Sequence, residues 1–62
     1  MGFRKARESA RKSVSETAKA VGVSREAVYG WETGKYKPSA DMLVKLSEFY
    51  GCSIDDLMRK EK

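Results

Sequence analysis

Residues 13–38, SVSETAKAVGVSREAVYGWETGKYKP, decide the fold. They read as two short helices, a tight turn between them and a basic loop after them. Gly22 stands where the first of the two must stop, because a residue without a β-carbon accepts the left-handed conformation that ends a helix. Val23 and Ser24 follow at once, and Ser24 is a good N-cap for the next helix. So short a connection makes the two helices cross steeply. Ala18, four residues before Gly22, is small enough to let them meet. Val28 and Trp31 are three apart and share one face of the second helix. Val21 and Val23 are placed to complete that small core.

Outward from this stretch the pattern extends to five helices. The first is expected over about residues 2–11, with Phe3, Ala6 and Ala10 on one stripe. The second covers Val14–Val21. Ser13 and Glu16 have the spacing of a capping box, in which the serine accepts the Glu16 amide and the glutamate accepts the Ser13 amide. The third covers Arg25–Thr33, and Val23 can staple onto Val28 across the Ser24 cap. The fourth, Ala40–Tyr50, begins after Pro38 and Ser39 and stops at Gly51. The fifth, about Ile54–Met58 or a little beyond, opens at Ser53, with Asp55 and Asp56 at its positive end. Leu43, Leu46, Phe49, Tyr50, Ile54, Leu57 and Met58 are expected to close the core. No strand pattern competes.

Sixty-two residues make one domain, near the lower limit for folding without staples. The 62 residues are expected to be either a complete small protein, as Met1 and the short tail suggest, or one part of something larger. The one cysteine, Cys52, cannot form an internal disulfide, and with no histidine there is no zinc set. Cys52 reads as core packing. Neither a membrane span nor a signal-peptide core is visible, so a cytoplasmic protein is expected. The net charge of +4 is uneven. Residues 1–37 hold nine Lys/Arg against four Asp/Glu, and residues 38–62 hold four against five. The basic excess therefore lies with the helix pair, where phosphates would be attracted.

Two steeply crossed helices with a turn of this kind form a helix-turn-helix, whose second helix can enter the DNA major groove. The ordered set Ala18, Gly22, Val23-Ser24, Val28, Trp31-Glu32 and the tail Gly34-Lys35-x-Lys37-Pro38-Ser39 resembles the phage-repressor and Cro-like helix-turn-helix family, often called Xre-like. The resemblance runs from about Phe3 to Met58. It implies an all-α, five-helix, lambda-repressor-like domain over residues 1–62, with the helix-turn-helix at about residues 14–33. It also implies sequence-specific binding to double-stranded DNA.

Helix geometry then nominates the reading residues. Val28 and Trp31 face the core, so Arg25, Glu26, Tyr29, Gly30 and Thr33 are expected to face outward. Arg25 can bond guanine O6 and N7, and Glu26 can accept from cytosine N4. Tyr29 can pack on a thymine methyl or reach a phosphate. Gly30 either lets backbone and DNA approach closely or is a tolerated surface glycine, at a cost of about 1 kcal/mol against alanine. Lys35 and Lys37 lie in the loop where the resembled family contacts the DNA backbone. Ser13 and Ser24 cap helix ends whose amides can receive a phosphate. The resemblance further implies that Arg7 pairs with Glu32, bracing the reading helix through a bidentate bond, and that Arg7 can also reach a phosphate.

The chain departs from the family pattern at four places. Val14 stands for a polar residue, usually glutamine. Thr17 and Lys12 stand for leucines, and Ala6 for a larger apolar residue. These exchanges shrink the core beside the first helix and predict modest stability. Tyr36 and Phe49 are aromatics for either a protein contact or local packing.

No catalytic set is present: there is no histidine, no phosphate-cradling glycine loop, and Asp55 and Asp56 are helix-start acids. No cofactor or metal is implied. The expected function is transcriptional regulation, by repression, through an inverted-repeat operator bound by a homodimer that pairs either in solution or only on DNA. Its self-contact is expected in the C-terminal third. The rival function is an antitoxin-like or coactivator-like protein-interaction module on the same fold.

Overall fold

Four serines start four of the five helices. In the computed structural model, which describes residues 2–59, Ser13, Ser24, Ser39 and Ser53 each accept a hydrogen bond from the backbone amide three residues on, at 3.0, 3.3, 3.2 and 3.0 Å. They open α2 (Val14–Val21), α3 (Arg25–Thr33), α4 (Ala40–Tyr50) and α5 (Ile54–Met58). The Ser13–Glu16 box is closed in both directions, because the Ser13 amide donates to Glu16 Oε1 at 2.9 Å. Hydrogen bonding from the Ser13 amide, and then from its hydroxyl, holds the Glu16 carboxyl below its usual pKa. Gly22 ends α2 at φ 75°, and the Val23 amide turns back to Ala18 O at 2.9 Å. Gly34 and Gly51 close α3 and α4 in the same left-handed region.

α1 (Phe3–Ser9) is shorter than the sequence pattern implies. Gly2, at φ 110°, stands before the helix as its cap, and Ala10 closes it. Arg11 then turns left-handed at φ 58°. This bend brings the Lys12 amide onto Arg7 O at 3.1 Å and delivers the chain to the Ser13 cap. The apolar stripe was read correctly, but the need to reverse direction before Ser13 ends the helix early.

α2 and α3 cross beside the tight turn, α4 lies on α2, and α5 packs against α4 and α1. Among the described residues there is no strand. The core joins Ala6, Val14, Ala18, Val21, Val28, Trp31, Leu46, Tyr50 and Leu57. Ile54 and Met58, expected inside, are instead exposed at 37% and 54%. A five-residue helix at the rim has one deep position, and Leu57 fills it. The apolar surface in the C-terminal third is therefore Ile54, Met58, Val44 and half-buried Phe49, since Tyr50 and Leu57 are spent in the core.

The departures from the usual pattern are compensated by specific contacts. Thr17 is fully buried, yet its hydroxyl is satisfied twice. It donates to Ser13 O at 2.9 Å and accepts from the Tyr50 hydroxyl at 3.3 Å. Burial raises the Tyr50 pKa, so the phenol remains a donor at neutral pH. The ammonium of Lys12 lies 5.1 Å from the centre of the Phe49 ring, a cation–π contact where an apolar side chain would otherwise pack. Cys52 is half-buried against the core, and burial raises its thiol pKa, which suits packing.

The Thr17–Tyr50 link yields a stability test. Thr17→Val keeps the shape and strands the Tyr50 hydroxyl, for an expected loss of about 1–3 kcal/mol. Adding Tyr50→Phe removes the stranded group, so the double variant should lose less than the sum of the singles. Denaturant unfolding of the four proteins measures this; strictly additive losses would contradict the link.

Candidate nucleic-acid interface

The orientation of α3 follows from its two buried residues. Val28 and Trp31 are buried in the core on the side of α3 that packs against α2 and α1, so the opposite arc meets solvent. Arg25, Glu26, Tyr29 and Thr33 are all exposed. The Arg25 side chain makes no hydrogen bond or ion pair with any described residue, so its guanidinium is free for an outside acceptor. The Thr33 hydroxyl donates to Tyr29 O at 3.0 Å, which leaves it only as an acceptor toward a ligand.

Gly30 corrects the sequence reading. It is buried, not outward. A β-carbon at Gly30 would overlap the Tyr36 ring, 2.8 Å from Cε2 and closer still to Cδ2. The Tyr36 amide also donates to Gly30 O at 3.1 Å. Gly30 is thus bare because an aromatic ring from the following loop lies on it. Tyr36, read from the sequence as an aromatic for either a protein contact or local packing, packs on Gly30, and its place beside α3 is what sequence reasoning missed. A mid-helix glycine followed six residues later by an aromatic was the available signal, but periodicity within one helix does not report a ring arriving from a loop.

The far end of α3 is held by charge. Arg7 Nε donates to Glu32 Oε2 at 2.7 Å, and Nη2 donates to Oε1 at 3.2 Å. Nη1 donates to Lys12 O at 3.0 Å. The two side chains are only 14% and 6% exposed. The hydrogen bond to Glu32 raises the arginine pKa further, against the opposing effect of burial. Three of the five N–H groups of Arg7 are engaged, so two remain for any phosphate.

The flanks are basic. Lys35 and Lys37 are exposed, and the Lys35 ammonium sits 5.4 Å from the centre of the Tyr36 ring. Ser24 and Ser13 are exposed at the starts of α3 and α2. At Ser13 the Glu16 carboxylate already occupies the positive end of the helix and would repel a phosphate there. That weakens Ser13 as an anion site relative to Ser24. Among the described residues no His/Cys/Asp/Glu group could hold a metal ion, and no helix is long and apolar enough to cross a membrane.

Comparison with known proteins shows the family. A family profile described as helix-turn-helix matches residues 3–57. An uncharacterized HTH-type transcriptional regulator of Methanocaldococcus jannaschii is 40% identical over 42 residues, covering 68% of this chain and 64% of that protein. Another, of Archaeoglobus fulgidus, is 43% identical over 42 residues, covering 68% of this chain and 60% of that protein. The chain thus spans about 60–64% of the length of these relatives.

The brace between α1 and α3 is testable by unfolding. Removing one partner of a buried pair strands the other charge, so Arg7→Ala and Glu32→Ala should each cost about 2–4 kcal/mol. The double variant should cost less than the sum, because contacting residues are not additive. A coupling near zero in that cycle would show that the pair holds nothing.

Proposed function

The chain belongs to the Xre/Cro-like helix-turn-helix family, and from that membership we propose that it is a sequence-specific DNA-binding transcriptional repressor. Members of this family bind DNA and are not enzymes. The observation that carries the reading is the free outer arc of α3. Arg25, Glu26 and Tyr29 project from a helix anchored by Val28, Trp31 and the Arg7–Glu32 pair, with Lys35 and Lys37 beside it.

In this reading α3 lies in the major groove. The Arg25 fork donates to guanine O6 and N7, and Glu26 accepts from cytosine N4. Tyr29 meets a thymine methyl or a phosphate, and Thr33 accepts from a base or backbone donor. Ser24, Lys35 and Lys37 take phosphates, with Arg7 and Ser13 as the minor contributors. These phosphate contacts set register and release counterions, so affinity falls as salt rises. Repression needs only occupancy of a site overlapping a promoter. A protein of this kind works where the genome is, which in a cell without a nucleus is the cytoplasm.

One helix reads too few base pairs to single out an operator, so two copies act together. A two-fold axis would set the reading helices about 34–36 Å apart, one turn of DNA. The domain measures 27 × 23 × 20 Å. Two such bodies one turn apart meet over a narrow contact, which favours pairing on DNA. Ile54, Met58 and Val44 supply exposed apolar surface for that contact.

Selection of bound sites from random duplex DNA tests this function. An enriched inverted repeat is expected, occupied by two copies. Arg25→Ala should cost about 1–3 kcal/mol and relax one base pair, whereas Lys35→Ala or Lys37→Ala should weaken all sequences and reduce the salt slope by about one each. No enriched sequence would refute DNA reading, and a single copy on the minimal site would refute the dimer.

A further inference from the structure

A notch of about 220 Å³ opens between α3 and the loop that follows it. Glu26, Tyr29, Gly30 and Thr33 line its helix side, and Lys35 and Tyr36 line its loop side. Gly30 forms a floor without a side chain. The walls are two tyrosine rings that stay 54% and 51% exposed. Tyr36 is nevertheless fixed in place: its amide donates to Gly30 O, its ring rests against Gly30, and the Lys35 ammonium lies over the ring. A half-exposed aromatic that is already ordered loses little freedom when a ligand covers it. The notch shares its arc of α3 with Arg25 and Glu26, so it faces whatever those residues face.

We infer that this notch is a base-reading subsite for the 5-methyl group of thymine, and that Tyr36, a loop residue, is a specificity determinant alongside α3. The inference rests on the DNA-reading function proposed above. The thymine methyl is the apolar feature that an A·T pair presents in the major groove. A cleft between two aromatic walls buries such a group, and an alanine methyl at Gly30 would displace one wall. Lys35 contributes twice, holding the ring and leaving its positive charge beside the DNA backbone.

The test uses the full chain and the duplex enriched from random DNA. Each thymine of the site is replaced singly by deoxyuridine, which removes only the methyl group. At one thymine in each half-site, wild-type affinity should fall about three- to tenfold. Tyr36→Ala should bind the thymine and uridine duplexes equally, and Tyr36→Phe, which keeps the ring, should still discriminate. Gly30→Ala should lose the discrimination while remaining folded, since alanine favours a helix interior. The double variant Gly30→Ala/Tyr36→Ala should be no worse than Tyr36→Ala alone. If the site is bound specifically but no methyl matters more to the wild type than to Tyr36→Ala, the subsite is overturned and DNA reading stands. If no sequence is enriched, both fall. A gain on replacing a cytosine by 5-methylcytosine, with no loss at any thymine, would overturn the thymine assignment.

Discussion

The bidentate pair between Arg7 and Glu32 is the constraint on which the rest of the structure leans. Twenty-five residues separate the two, and their side chains are nearly shut off from water. Taking two charges out of water is costly unless each finds its partner in good geometry. Here the guanidinium fork meets both carboxylate oxygens and spends a third donor on Lys12 O. One arginine thus ties together α1, the bend into α2 and the last turn of α3. The loop that departs from that turn inherits its position, and so does Tyr36 on Gly30.

The second constraint is smallness. Ala6 and Ala18 let helices approach closely, and the chain has few large residues with which to fill the remaining space. Polar groups complete the interior instead. The Tyr50 hydroxyl reaches Thr17, which reaches the Ser13 carbonyl. This chain of bonds runs from α4 through α2 to the cap of α2. A buried threonine is costly only if its hydroxyl is left unpaired. The lysine that replaces an apolar residue likewise lays its charge over Phe49. Neither compensation uses a residue of the outer arc of α3, which remains open.

What the sequence disclosed and what it hid follow from the range of the interactions. Caps and stops are local, so Ser13, Ser24, Ser39 and Ser53 marked where α2 to α5 begin, and Gly22 and Gly51 marked where α2 and α4 end. The inward face of α3 was equally legible, because Val28 and Trp31 obey a helical period. Interactions across the fold were less visible. Tyr50 and Thr17 lie 33 residues apart, and nothing in either neighbourhood announces the bond. The Arg7–Glu32 contact was legible only through family resemblance. Gly30 was placed outward because helical spacing assigns an arc, not what a neighbouring loop lays on it. Ile54 and Met58 were assigned to a core that a five-residue helix at the rim is too short to extend.

Rigid support on one side of α3 and an unencumbered arc on the other is what a reading helix requires. The central claim is therefore that DNA meets that arc and the loop beside it. Amide and side-chain NMR of the protein, free and bound to its selected duplex, tests this most directly. The account predicts the largest changes at Arg25, Glu26 and Tyr29 and at Lys35, Tyr36 and Lys37, with smaller ones at Ile54 and Met58 where two copies meet. Changes concentrated around Arg4 on α1 or Lys45 on α4, with the outer arc of α3 unaltered, would contradict it.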